Sequence, residues 1–180
     1  MRSRFRLGSV ICAAVLLSAL ARADSLSQGG QGIESLGGIP TADRVVVRKG
    51  ERRLFLMRGE NVLRSYKVAL GLNPVGHKER EGDFRTPEGK YRLTRRNPRS
   101  DYFLSIQVSY PNETDIQRAR HNGWYAGGSI MIHGLPNMLK HSPEWYEKQD
   151  WTDGCIAVSN SDIVEIWMLI ADNAPIEILP

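Results

Sequence analysis

From residue 44 onward the chain alternates apolar and polar positions, or runs apolar in short bursts, between clusters of turn residues. That pattern is the mark of half-buried strands. RVVVRK (44–49) and RRLFLMR (52–58) flank Gly50-Glu51 and predict a hairpin. VLRSYKVAL (62–70), entered through Gly59-Glu60-Asn61, extends it into a meander. KYRLTR (90–95), FLSIQVSY (103–110), SIMIH (129–133), CIAVS (155–159) and PIEIL (175–179) predict further strands. Asn112 caps a helix over 113–120 with Asp115 at its third position, and Ser142-Pro143 opens a short helix. Ile163, Ile166, Trp167 and Ile170 recur at i, i+3, i+4 and i+7, which places an amphipathic helix over 161–172. Residues 71–89 form a long loop rich in glycine, proline and charge, a length that compact domains rarely keep without a use. The expected class is α+β and mostly β: a largely antiparallel sandwich-like domain with a few short helices.

The first 43 residues follow another pattern. Three arginines within Met1–Arg6, an almost wholly apolar run from Leu7 to Leu20 and the small-x-small triplet Ala21-Arg22-Ala23 make a secretory signal, with cleavage expected after Ala23. The apolar run is too short to span a bilayer comfortably, so no stable membrane insertion is expected after cleavage. Cys12 follows Ile11 rather than a small residue, which argues against a lipid-acceptor site. Residues 24–43, Gly/Ser-rich and without apolar period, read as a flexible tether, leaving 44–180 as the folded domain. Cleavage also changes the charge. Arg2, Arg4, Arg6 and Arg22 leave with the signal, so the 24 basic residues fall to 20 against 20 acidic. The net charge of +4 belongs to the targeting segment, and the bulk argument for nucleic-acid binding goes with it.

Cleavage makes Cys155 the sole cysteine of the mature chain, with no partner for an internal disulfide. A lone thiol in an oxidising compartment is either buried as a small hydrophobe or used. Thr152-Asp153-Gly154 precedes it as a tight polar turn, able to aim the Gly154 and Cys155 N–H groups at a developing oxyanion. A thiol needs a base. Of His77, His121, His133 and His141, His133 stands apart because it ends the apolar run 129–132 and precedes Gly134. His77 lies in the long polar loop, His121 ends a charged helix, and His141, just before a helix cap, is either surface or reaches toward the cleft. His133, His141, Asp153 and Cys155 fit no standard zinc spacing, so no metal is expected.

GGSIMIHG (127–134) followed by TDGCIAVSN (152–160) resembles the catalytic signature of L,D-transpeptidases of the YkuD type, and REGDFRTPEGKY (80–91) resembles that family's Thr-Pro-x-Gly segment. The resemblance spans roughly residues 44 to 179. It implies a β-rich sandwich-like domain without metal or organic cofactor. It also implies Cys155 as nucleophile, His133 as general base and later acid, and the Gly134 carbonyl orienting His133. Gly154 and Cys155 would be the oxyanion donors, with Thr152 bracing the site. Arg85, Thr86, Trp151 and Asp153 are expected on the substrate side. Two positions depart from the common pattern: Asp153 stands where many members have histidine, and Ala157 where many have arginine.

The implied partners are peptidoglycan stem peptides in the periplasm or cell-wall compartment of a bacterium. An outer-membrane lipoprotein is a further acceptor. Three readings stay open at this level. Cys155 forms a thioester and passes it to an amine, making 3–3 cross-links or attaching the lipoprotein. The same site passes it to water, as a carboxypeptidase or cross-link-removing peptidase. Or the thiol is inert and the domain only binds the wall.

Overall fold

The computed structural model describes residues 41–180. The signal at 1–23 and all of the tether except its last three residues lie outside the described residues. The chain divides at Gly37–Gly38, and every described residue belongs to the second unit.

The elements are β1 (Arg44–Arg48), β2 (Arg53–Arg58), β3 (Asn61–Lys67), β4 (Gly89–Ser100), β5 (Phe103–Val108), α1 (Glu113–His121), β6 (Met131–His133), α2 (Pro143–Lys148), β7 (Ile156–Ala157), α3 (Asn160–Leu169) and β8 (Pro175–Leu179). Among the described residues no helix is long and apolar enough to cross a membrane. The strands follow the order β3-β2-β1-β8-β4-β5-β6-β7. β8 lies parallel to β1 and antiparallel to β4, and β6 and β7 are also parallel; the other neighbours are antiparallel. The architecture is therefore mostly β with a few short helices, as the hydrophobic pattern predicts.

β4 is longer than its apolar core suggests. It runs on through Arg95-Arg96-Asn97-Pro98 to Ser100, with register shifts between Leu93 and Arg96 and between Asn97 and Ser100. Such bulges bend a strand and raise its twist, which lets one strand pair with β8 at its start and β5 at its end. Just past β3 the chain reaches the opposite end of the order: Ala69 bridges Ala157 and Gly71 bridges Thr152. The two ends of the sheet thus meet beside Cys155.

The core lies between the two halves. Val45, Val47, Leu54, Leu56, Ile176 and Ile178 come from one side, Ile106, Val108, Ile132 and Ile156 from the other, with Ile163, Ile166 and Leu169 of α3. Each is a strand- or helix-periodic position, and each such side chain contributes ~1.5–3 kcal/mol when fully buried. α3 has no basic residue in its last turn. Arg96 of β4 supplies one, donating to the Trp167 carbonyl and, at 2.5 Å, to the Ile170 carbonyl.

The 71–89 loop is tied down by buried charge. Lys49 is 2% exposed, and its Nζ donates to the Gly76 carbonyl (2.6 Å), the Thr86 carbonyl (2.9 Å) and Glu88 Oε1 (2.8 Å). An ammonium taken out of water is tolerated only with such partners. Asp83 accepts from Lys78 Nζ and from the N–H groups of Glu79, Arg80 and Arg85.

Candidate active site

Alternation along β6 sends Ile132 into the core and His133 to the opposite face. Register then sets His133 beside Ser105 of β5 and Ala157 of β7. Cys155 comes one residue before β7, two before Ala157, and is therefore a diagonal neighbour of His133. Both side chains line one cleft of about 610 Å³, with walls from the β4–β5 hairpin, from 128–131 and from 151–153.

His133 is 3% exposed, and its Nδ1 lies 2.7 Å from the Gly134 carbonyl. A carbonyl only accepts, so Nδ1 carries the proton and Nε2 keeps a free lone pair. Burial pushes the imidazole down to about 4, partly opposed by the Gly134 carbonyl. Burial pushes the Cys155 thiol up, partly opposed by the Met131 backbone. The resting pair is thus neutral thiol and neutral imidazole. The S–H points at the Ser129 carbonyl, 3.5 Å away.

Tyr102 and Trp151 flank the imidazole, with ring centroids 4.5 Å and 5.6 Å from it. They exclude water from one side of the base. Trp151 and Asp153 both line the cleft.

The cysteine turn is braced locally and at long range. Thr152 Oγ1 donates to the Cys155 carbonyl (2.7 Å) and accepts from the Gly154 N–H (3.1 Å). Asp150 accepts from Arg52 Nε and Nη2 and from the Leu70 N–H, which fixes the start of the turn to the β1–β2 connection and the end of the meander. Gly154 has φ +123°, and a Cβ there would fall 2.5 Å from the Arg85 carbonyl. Only glycine fits that approach.

Three expectations need correction. The Gly154 N–H does not reach the cleft, because the Thr152 hydroxyl consumes it. Thr152 contacts the Cys155 carbonyl and leaves the Cys155 N–H unused. Arg85 turns its guanidinium away from the cleft, toward the His77 carbonyl and Glu79 Oε2, and what it brings to the site is its main chain beneath Gly154. Thr86 is fully buried, with its hydroxyl accepting from the Gly71 N–H. Both residues belong to the tied loop that supports the turn.

Other residues of the site carried no local sequence signal. Asn160 Oδ1 accepts from the Leu135 N–H (2.8 Å) and so fixes the turn that follows His133. A Cβ on Gly134 would fall 2.5 Å from that same oxygen. Asp150 and Arg52 are 98 positions apart. Ser105 is hidden within an apolar strand. Ala157 is 2% exposed and lines a separate cavity of about 130 Å³ with Tyr146, Glu147 and Asp162. The position that often holds arginine therefore does not open on the main cleft.

The model for the L,D-transpeptidase catalytic domain of the YkuD family matches residues 42–178. This chain belongs to that family. It is 30% identical over 141 residues to YafK of Escherichia coli strain K12, which is named provisionally as an L,D-transpeptidase. The match covers 76% of this chain and 50% of YafK, so the chain spans about half the length of the curated relatives it matches. The crystal structure of the K307A mutant of Pgp2 from Campylobacter jejuni, a helical cell shape determining protein, superposes with a TM-score of 0.57 at 26% identity, over 77% of this chain and 47% of that one. An L,D-transpeptidase from Mycobacterium smegmatis superposes with a TM-score of 0.51 at 14% identity, over 76% of this chain and 58% of that chain, and shares the fold.

Proposed function

We propose that this domain is an exported cysteine acyltransferase acting on peptidoglycan stem peptides. The observation that carries this reading is that Cys155 shares one cleft with a buried His133 whose Nδ1 is held by the Gly134 carbonyl, leaving Nε2 free. The Cys155 thiol passes its proton to Nε2 as sulfur attacks the carbonyl of the diamino residue of a donor stem. The Cys155 N–H stabilises the oxyanion. The C–N bond breaks, the imidazolium gives its proton to the departing amine, and a thioester remains. An amine of a second stem, or a lipoprotein lysine, then takes the acyl group and regenerates the thiol. Burial raises the thiol and lowers the imidazole, so the charge-separated pair forms only once substrate has entered and its oxyanion is stabilised.

The sequence 1–23 supports export to the compartment where this substrate lies. The test is incubation with defined muropeptides followed by mass spectrometry of the products. Cross-linked dimers that vanish in Cys155→Ala are expected. Shortened or uncoupled stems alone would replace transfer by hydrolysis at the same site. No turnover together with an unreactive thiol would leave a wall-binding module.

A further inference from the structure

Three side chains lie in one register row across the β4–β5–β6 strands: Asn97, Ser105 and His133. All three line the cleft. Ser105 is 1% exposed, and its buried Oγ has no hydrogen-bond partner among the described residues. A buried hydroxyl left without a partner costs about 1–3 kcal/mol, and unpaired groups of this kind mark places where a ligand completes the bonding. Two positions past Asn97 on β4, Arg99 also lines the cleft; it is exposed and forms no ion pair among the described residues. Its backbone N–H donates to Asn97 Oδ1 (3.0 Å), which fixes the chain where the guanidinium begins.

The chemistry sets the direction in which substrate crosses this row. The acyl carbon must sit at Cys155, and the departing nitrogen must sit at His133 Nε2 to receive its proton. The leaving group therefore continues past His133, away from β7, toward β5 and β4. Strands are spaced ≈ 4.8 Å apart, so Ser105 is one strand beyond the nitrogen and Arg99 is on the next. An amino acid joined through its α-nitrogen carries its α-carboxylate two bonds further on, within that span.

We infer that Ser105 and Arg99 form a subsite for the free α-carboxylate of the leaving residue. Ser105 donates a hydrogen bond to the carboxylate and Arg99 supplies the counter-charge. Asp101 also faces this end of the cleft and opposes the charge of Arg99, while Asp153 lies on the acyl side. The inference rests on the acyl-transfer reading above for the direction of the substrate.

Binding to the inactive Cys155→Ala protein tests it. A stem tetrapeptide ending in free D-alanine is compared with the same peptide as its C-terminal amide, by calorimetry. The free acid is expected to bind about tenfold to a hundredfold more tightly, the range of a charge-assisted hydrogen bond. Arg99→Gln is expected to bring that ratio to within about twofold, Ser105→Ala to lower it in part, and Asp101→Asn to raise it. Equal affinity for acid and amide overturns the subsite, as does a preference that survives both Arg99→Gln and Ser105→Ala. Turnover by the unmutated protein is measured beside it. Discrimination in binding without turnover of either peptide would remove the proposed function and leave the subsite standing.

Discussion

Two rows of side chains cross β5, β6 and β7 one residue apart. Ile106, Ile132 and Ile156 pair in register and point into the core, each no more than 2% exposed. Ser105, His133 and Ala157 pair in the next register step and point the other way. The backbone is shared, so the difference between them lies only in what faces each side. The isoleucine row is satisfied by apolar neighbours and favours folding. The polar row holds a buried imidazole kept neutral, which costs stability as pH falls, and a buried hydroxyl without a partner among the described residues, which costs stability in the free protein at any pH. A period-two strand can thus divide the two tasks cleanly: one face stabilises, and the other keeps unmet polar groups for a substrate.

The largest test of this division sets Cys155→Ala against Ile132→Ala. The first should lower turnover of muropeptides by at least about 10⁴-fold while shifting unfolding free energy by no more than about 1 kcal/mol. The second should cost ~3 kcal/mol or more in urea denaturation, from lost transfer energy and a residual cavity. Comparable stability losses in both variants would break the comparison.

The next effect is the pH dependence of His133. Its folded value of about 4 lies below the ordinary 6.5, so the unfolded chain binds more protons between those values. The stability held by a neutral His133 is complete above pH 6.5 and is lost as pH falls toward 4. Replacing it in His133→Gln should remove ~3 kcal/mol of the pH dependence across that window. Denaturation curves at pH 7 and pH 4 measure it, and parallel losses in both proteins would contradict a desolvated imidazole.

The smallest effect sharpens the contrast most. Ser105→Ala removes an unpaired buried hydroxyl, so the variant should be more stable by ~1 kcal/mol. An equal loss instead would mean that Ser105 serves the fold. Thermal or urea unfolding decides the sign.

The hydrophobic pattern located the strands because each has one buried face. It also marked His133 and Cys155, because a strand end and a glycine turn are local features. Register is not local. FLSIQV shows that Phe103, Ser105 and Gln107 share a face, but only the pairing with β6 sets Ser105 beside His133. Asp150 and Arg52 escaped for the same reason, being joined only by the fold. The Thr-Pro segment misled about Arg85 and Thr86, since proximity to the cysteine turn comes through main chain while the side chains face elsewhere. The Gly154 N–H was misassigned because the Thr152 hydroxyl competes for it within three residues.

The position of β8 has a consequence for the order of events in the cell. It is the last of the described elements, yet it fills the slot between β1 and β4, the former some 130 positions earlier. Until residues 175–179 have been supplied, β1 and β4 each keep an open edge, and closure depends on pairing across nearly the whole domain, which is slow. A nascent chain without β8 therefore stays unclosed.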